Sequence, residues 1–204
     1  MEKLKKRCAR GFYRERGKRC IDVLLACAVL AITCVPMLII AALIKLTSRG
    51  EVIFRQERIG RGGERFICYK FRSMRRDAPH DVPTSQFEDA ARYITRVGRI
   101  LRKSSLDELP QIINVLKGDM SFVGARPLIP AEVRMHQGRE IGGVYKLRPG
   151  ITGLAQVRGR DMIDDEQKLA FDLEYARNLD FWLDVKIFFQ TLFSALRGKN
   201  IRTD

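Results

Sequence analysis

VLLACAVLAITCVPMLIIAALI, residues 23–44, runs for 22 residues without a charge. As an α-helix it would extend about 33 Å, enough to cross a hydrocarbon core of about 30 Å. A cleaved leader is disfavoured, because the apolar run is too long and a basic region follows it where a small-residue cleavage site would stand. Basic residues lie on both sides: Lys3, Lys5, Lys6, Arg7, Arg10, Arg14, Arg16, Lys18 and Arg19 before, and Lys45, Arg49, Arg55, Arg58, Arg61 and Arg65 after. Positive flanks favour the cytoplasmic side of a membrane. A single-pass helix exports one of these flanks, whereas a re-entrant helix keeps both inside. Pro36, near the middle, removes a helical hydrogen bond and crowds the preceding turn. It predicts a helix-break-helix that turns back within one leaflet, with a plain single-pass anchor as the alternative. Asp22 is costly in lipid unless paired, and Lys18 or Arg19, one turn earlier, would share its helical face.

Outside this run the chain reads as soluble. The whole chain has 204 residues, 38 Lys and Arg against 24 Asp and Glu, and a net charge of +14. That excess asks for an anionic partner, whether lipid headgroups, phosphorylated substrates or nucleic acid. No nucleic-acid motif accompanies the charge, so nucleic acid is not expected as a partner. Cys8, Cys20, Cys27, Cys34 and Cys68 are odd in number and contain no C-x-x-C pair; His80 and His136 form no metal spacing. Neither a disulfide framework nor a zinc site follows, and a reduced, cytosol-facing setting fits.

Two β-rich runs, residues 52–58 and 65–71, flank Gly60, Gly62 and Gly63 and predict a β-hairpin. The glycines lack the G-K-[ST] that a P-loop requires. Residues 77–86 read as a loop. Residues 87–101 and 106–116 carry helical periodicity, and Arg148-Pro149-Gly150 and Gly153 bracket a short strand at 154–157. Residues 164–178 predict a helix. Residues 181–196 form an amphipathic one, with Phe181, Val185, Phe188, Phe189, Leu192 and Leu196 on a stripe bordered by Trp182. That helix either lies in the membrane plane with an aromatic anchor or packs on the core.

RKSSLDELP, residues 102–110, places two carboxylates side by side. Ser105 and Glu108 have the spacing of a capping box, and acidic residues suit a first helical turn. Pro110 sits one step too deep for an undisturbed first turn from Ser105, so the helix start is expected to be distorted. An ionised carboxylate at such a terminus also serves as a nucleophile or metal ligand. Lys70, Arg72, Arg102, Arg126, Arg148, Arg158 and Arg160 are candidates for binding a diphosphate.

RVGRILRKSSLDELPQIINVLKGDMSFVGARP, residues 96–127, resembles the signature of bacterial sugar transferases, the monotopic phosphoglycosyl transferases that initiate surface glycan assembly. KRCID (18–22), FRQERIG (54–60), YKFRSM (69–74) and RPGITGLAQVRGR (148–160) match in the same order, and the likeness covers nearly the whole chain. Ala125 stands where the family usually has proline. Val35 stands where many small members have serine before the membrane proline, leaving Thr33 as a substitute hydroxyl. The resemblance implies a mostly helical α+β fold with residues 1–46 as basic N-terminus and re-entrant membrane helix, and 47–204 as a cytoplasmic catalytic domain with interfacial helices anchored by Trp182. It implies transfer of a sugar 1-phosphate from a UDP-sugar to polyprenol phosphate at the bacterial inner membrane, upstream of other glycosyltransferases. Asp107 is then the nucleophile, with Glu108 beside it. Asp107 or Glu108 would hold Mg²⁺, and Arg126, Lys70, Arg102, Arg160 and Arg72 would contact phosphate. The competing class is a membrane-anchored scaffold without catalysis, which leaves the Asp-Glu and Arg-Pro motifs without a reason. Which sugar is moved cannot be read from spacing.

Overall fold

The computed structural model describes residues 11–79, 90–159 and 163–197. A turn of π-helix, Tyr13–Gly17, leads straight into α1, Lys18–Thr47. At about 1.5 Å per residue this 30-residue helix is about 45 Å long. It is unbroken at Pro36, so the expected helix-break-helix is absent. The proline costs one backbone hydrogen bond, but packing on both sides of it holds the axis. Leu25, Ala26, Val29 and Leu30 sit in one apolar cluster, and Met37, Ile40, Ala41 and Ile44 in another. Full burial of Ile40 and Ile44 contributes about 1.5–3 kcal/mol each. Thr33 does not serve the carbonyl freed by Pro36; its hydroxyl donates to the Val29 carbonyl at 2.7 Å.

α1 therefore lies along the rest of the protein through a single stripe, from Asp22 to Ile44. Its other faces expose Leu24, Ile32, Val35, Leu38, Ile39, Leu43 and Leu46. Only 11% of its most apolar window is buried, too little for the core helix of a water-soluble protein.

The predicted hairpin forms as β1, Ile53–Ile59, and β2, Arg65–Phe71, antiparallel with Ile53 opposite Phe71 and Ile59 opposite Arg65. One helical turn, Ala90–Tyr93, precedes α2, Arg96–Ser104, which Thr95 caps by accepting from the Gly98 amide. The cap explains why the helix expected over residues 87–101 begins afresh at Arg96; residues 87–89 lie outside the described residues. A 3₁₀ turn, Leu106–Glu108, then leads through Pro110 into α3, Gln111–Lys117. Ser105 does not cap the following turn through its side chain; it is the left-handed C-cap of α2, at φ 57°, and its amide donates to the Arg102 carbonyl. Pro110 takes the N-cap position itself, which is the distortion its depth predicts.

β3, Ser121–Val123, pairs in parallel with β4, Gly150–Thr152. Between them lies α4, Val133–Ile141. The strand expected at 154–157 is a helix instead, α5, Leu154–Arg158, and the strand is the stretch before Gly153. Four or five residues fit either period, so only tertiary packing decides. α6, Asp165–Asn178, capped by Asp164, and α7, Phe181–Arg197, complete the fold.

α7 packs one face on the core, as the second reading of its amphipathic pattern expects, and leaves an apolar face uncovered. Asp184 and Ile187 are buried and Phe188 packs on the core. Trp182, Phe189, Leu192 and Phe193 remain exposed. The central core gathers Ala26 of α1, Ile112 and Val115 of α3, Phe122 and Val123 of β3, Tyr175 of α6 and Ile187 of α7.

Buried polar groups tie α1 into this core. Asp22 accepts from the Ser121 hydroxyl at 3.0 Å and the Phe122 amide at 3.1 Å. Of the expected partners, Lys18 still acts on Asp22 through its charge but makes its ion pair elsewhere, and Arg19 turns away. Lys18 ion-pairs with Asp184, and Arg19 donates to the Val115 and Leu116 carbonyls at the end of α3. Asp184 also accepts from Tyr13 at 2.6 Å and Tyr175 at 2.7 Å. Polar ends fixed this way satisfy groups that would otherwise cost several kcal/mol each in an apolar setting.

Candidate active site

The 3₁₀ turn between α2 and α3 carries Asp107 and Glu108 against the open face of the hairpin. Asn114, fully buried on α3, sets that approach. Its side chain accepts from the Tyr69 amide at 3.1 Å and donates to the Ile67 carbonyl at 2.7 Å. α3 is thereby stitched to β2, and the turn ahead of α3 meets Lys70. The Lys70 ammonium donates to Glu108 Oε1 at 2.8 Å, and Arg126 Nη1 reaches the same oxygen at 3.2 Å.

The two adjacent carboxyls are pushed in opposite directions. Burial alone would raise Glu108, but Lys70 and then Arg126 outweigh it and hold the group at about 2. Burial also raises Asp107, Lys70 draws it down, and the Glu108 charge pushes it up again; the result is about 6. Arg102, on the last turn of α2, also acts on Asp107 electrostatically. The Asp107 carboxyl makes no hydrogen bond to a described residue. One carboxylate is thus locked among cations, while its neighbour is basic, without a hydrogen bond among the described residues, and largely ionised at neutral pH. Paired titratable groups forced apart in this way characterise reactive sites.

Beneath the turn lies a cavity of about 180 Å³ lined by Ser105, Glu108, Ile112, Phe122, Gln156 and Ser194, among others, and reaching Val29 on α1. The buried Gln156 Oε1 has no hydrogen-bond partner among the described residues.

Of the sequence candidates, Asp107, Glu108, Lys70, Arg126 and Arg102 come together. Arg72 does not: it lies past the end of β2 and donates to the Ser48 and Arg49 carbonyls, closing the C-terminal end of α1. Arg148 caps α3 through the Gly118 carbonyl at 2.8 Å, and Arg158 lies over the Phe171 ring. Arg160 lies outside the described residues. Sequence reading missed Arg58 as a site element. It lies half-buried near Arg126 and donates to the Pro127 carbonyl at 3.0 Å; desolvation and then the Arg126 charge lower its pKa to about 10. Its place in FRQERIG was the available signal.

Among the described residues no three His, Cys, Asp or Glu side chains converge on a metal position. A wholly protein-made cage is therefore absent from that region. The donor set fits Mg²⁺ of the kind that takes one carboxylate and fills its shell with substrate oxygens and water.

A family model described as bacterial sugar transferase matches residues 13–198. The chain belongs to the bacterial sugar transferase family. The sugar transferase is 45% identical over 193 residues to a UDP-glucose:undecaprenyl-phosphate glucose-1-phosphate transferase of Caulobacter vibrioides, covering 90% of this chain and 71% of that one. It is 40% identical to a UDP-N-acetylgalactosamine-undecaprenyl-phosphate N-acetylgalactosaminephosphotransferase of Aeromonas hydrophila, covering 91% of this chain but 45% of the relative. It is 38% identical to an uncharacterized sugar transferase, EpsL, of Bacillus subtilis, covering 90% of that protein. The sugar transferase thus spans under half of some relatives and nearly all of others.

Proposed function

We propose that this chain transfers a sugar 1-phosphate from a UDP-sugar to undecaprenyl phosphate, with Asp107 as covalent nucleophile. The observation that carries the proposal is the divergence of the two neighbouring carboxyls around shared cations. Glu108 holds Lys70 and Arg126 where a diphosphate would need them, and among the described residues none takes up the Asp107 carboxyl. In the first step an Asp107 oxygen attacks the β-phosphorus. The bond from that phosphorus to the bridging oxygen breaks, and the oxygen departs with UMP. Lys70 and Arg126, already oriented, stabilise the charge that builds on the phosphoryl oxygens. In the second step a phosphate oxygen of the polyprenyl phosphate attacks the same phosphorus. The acyl phosphate bond breaks, Asp107 returns as a carboxylate, and the polyprenyl diphosphate sugar leaves. Asp107 or Glu108, with substrate oxygens, would hold Mg²⁺, which when bound offsets diphosphate charge. The apolar cavity reaching from α1 to Glu108 suits the isoprenoid end of the acceptor.

The same reading places the enzyme on the bacterial inner membrane with its catalytic residues facing the cytoplasm. α1 is packed against the domain by one stripe along its length. With both ends held to one domain, α1 supports a monotopic seat in one leaflet, without the helix-break-helix that a re-entrant segment would need. The exposed Trp182, Phe189 and Phe193 of α7 suit the interface. A non-catalytic scaffold leaves the convergence of Lys70 and Arg126 on Glu108, next to Asp107, without a reason.

The test is incubation of the purified protein with UDP-sugar alone, across a panel that includes UDP-glucose and UDP-N-acetylgalactosamine. About one equivalent of UMP should appear without any lipid, with the phosphosugar mapped to Asp107 by mass spectrometry. Full turnover by Asp107→Asn would overturn the assignment.

A further inference from the structure

Arg126 is a half-exposed side chain on a loop, and its guanidinium must meet a phosphate within a few tenths of an ångström. The backbone around it is held to an unusual degree. The Ala125 carbonyl accepts from the Gly150 amide at 2.9 Å, the Pro127 carbonyl from Arg58 at 3.0 Å, and the Ile129 carbonyl meets His136 Nε2 at 2.8 Å. The carbonyl of Arg126 itself accepts from Arg139 Nη1 at 2.7 Å. Arg139, on α4, is buried, and its Nε donates to Asp172 of α6 at 3.0 Å while Nη2 reaches the same oxygen. Both side chains are almost wholly excluded from solvent, at 4% and 3% exposure.

A buried ion pair is a poor stability device, because desolvation offsets most of its attraction and well-packed apolar side chains often do as well or better. Here the pair joins α4 to α6, with the terminal methyls of Leu169 and Leu173 packed over Gly138 and Gly142 beside it. The third arm of the guanidinium then points at the one backbone carbonyl that belongs to the active-site arginine.

We infer that the Arg139–Asp172 pair is a positioning device that fixes Arg126 at the Asp107–Glu108 turn. Neither residue touches substrate; they act through the Arg126 backbone. In this chain they supply rigidity that Ala125 does not, since alanine leaves φ free where a proline would restrict it. The inference rests on the reading of Arg126 as a diphosphate contact.

A double-mutant cycle tests it, read as the dissociation constant for UDP in nanodiscs and as KM and kcat for UDP-sugar. Arg139→Lys keeps a cation beside Asp172 but has one nitrogen and cannot also span to the Arg126 carbonyl. It should weaken UDP binding about tenfold in the native background and less than twofold once Arg126 is alanine, the signature of coupled residues. Asp172→Asn, which keeps the shape of the pair, should show the same pattern if Arg139→Lys does not fold. Arg72→Lys, a break at a buried arginine that closes the end of α1, should lower the unfolding temperature while leaving UDP affinity unchanged. Equal losses from Arg139→Lys with and without Arg126 would overturn the positioning role and leave the catalytic reading standing. Failure of the unaltered protein both to bind UDP and to release UMP would overturn the catalytic reading, and the positioning role with it.

Discussion

Replacing Asp107 by asparagine should abolish turnover and at the same time make the protein more stable, and the gain should depend on pH in a specified direction. The carboxyl has a pKa of about 6 in the fold against an ordinary 3.8. A raised pKa means that the folded state binds the proton more tightly than the unfolded chain does. Its stabilising share is therefore complete below about pH 4 and lost as pH rises to about 6. At 1.36 kcal/mol per unit, the penalty of holding the ionised group at pH 7.5 is at most about 3 kcal/mol, and partial solvent access reduces it to about 1–2 kcal/mol. For a chain of this length that is about 2–8 °C in melting temperature. Thermal unfolding of wild type and Asp107→Asn in the same nanodiscs should show coincident transitions at pH 4 and a higher one for the variant at pH 7.5. Glu108→Gln should behave oppositely. Its carboxyl lies at about 2 against 4.5, so its contribution is present above pH 4.5 and lost only as pH falls through 2. At pH 7.5 the variant forfeits an ion pair and leaves two cations facing each other, a loss of about 3 kcal/mol at most. An Asp107→Asn variant that melts below wild type at pH 7.5, or gains equally at both pH values, would refute the electrostatic account of the dyad.

Lys70→Ala removes the strongest cation on both carboxyls and should lower kcat/KM about 10²-fold, with the Glu108 carboxyl moving up toward its ordinary range, followed by NMR titration. Arg72→Lys should leave KM for UDP-sugar unchanged and lower the melting temperature, because Arg72 closes the end of α1 through the Ser48 and Arg49 carbonyls; a selective rise in KM would return it to the phosphate site. Ser105→Gly should stabilise by about 1 kcal/mol in chemical denaturation, since the left-handed backbone at 105 disfavours a Cβ; a loss of stability would show that the serine side chain compensates its strain.

The hairpin, the amphipathic last helix and the displaced helix start at Pro110 were legible because each is written in local chemistry: paired β-rich runs, a 3.6-residue stripe, a missing amide. The Asp-Glu dyad with Lys70, Arg102 and Arg126 was legible through the motif that carries it. What the sequence concealed was decided by contacts distant along the chain. Pro36 argues locally for a break, and only packing by Val29 and Ile40 on either side of it keeps α1 continuous. Lys18 is one turn from Asp22 yet pairs with Asp184, 166 positions away. Arg72 stands two residues from Lys70, but the Ser48 and Arg49 carbonyls, brought near by the end of α1, take its guanidinium. Arg139 and Asp172 are 33 residues apart and belong to no recognisable spacing.

α1 is clasped by the domain at Asp22 and again at Ile44. A helix seated in one leaflet and free to pivot adjusts its own tilt to the lipid around it. This one can pivot only if the whole molecule rocks with it. On the proposed monotopic reading, the lipid chains and not the helix must therefore give way around a rigid float.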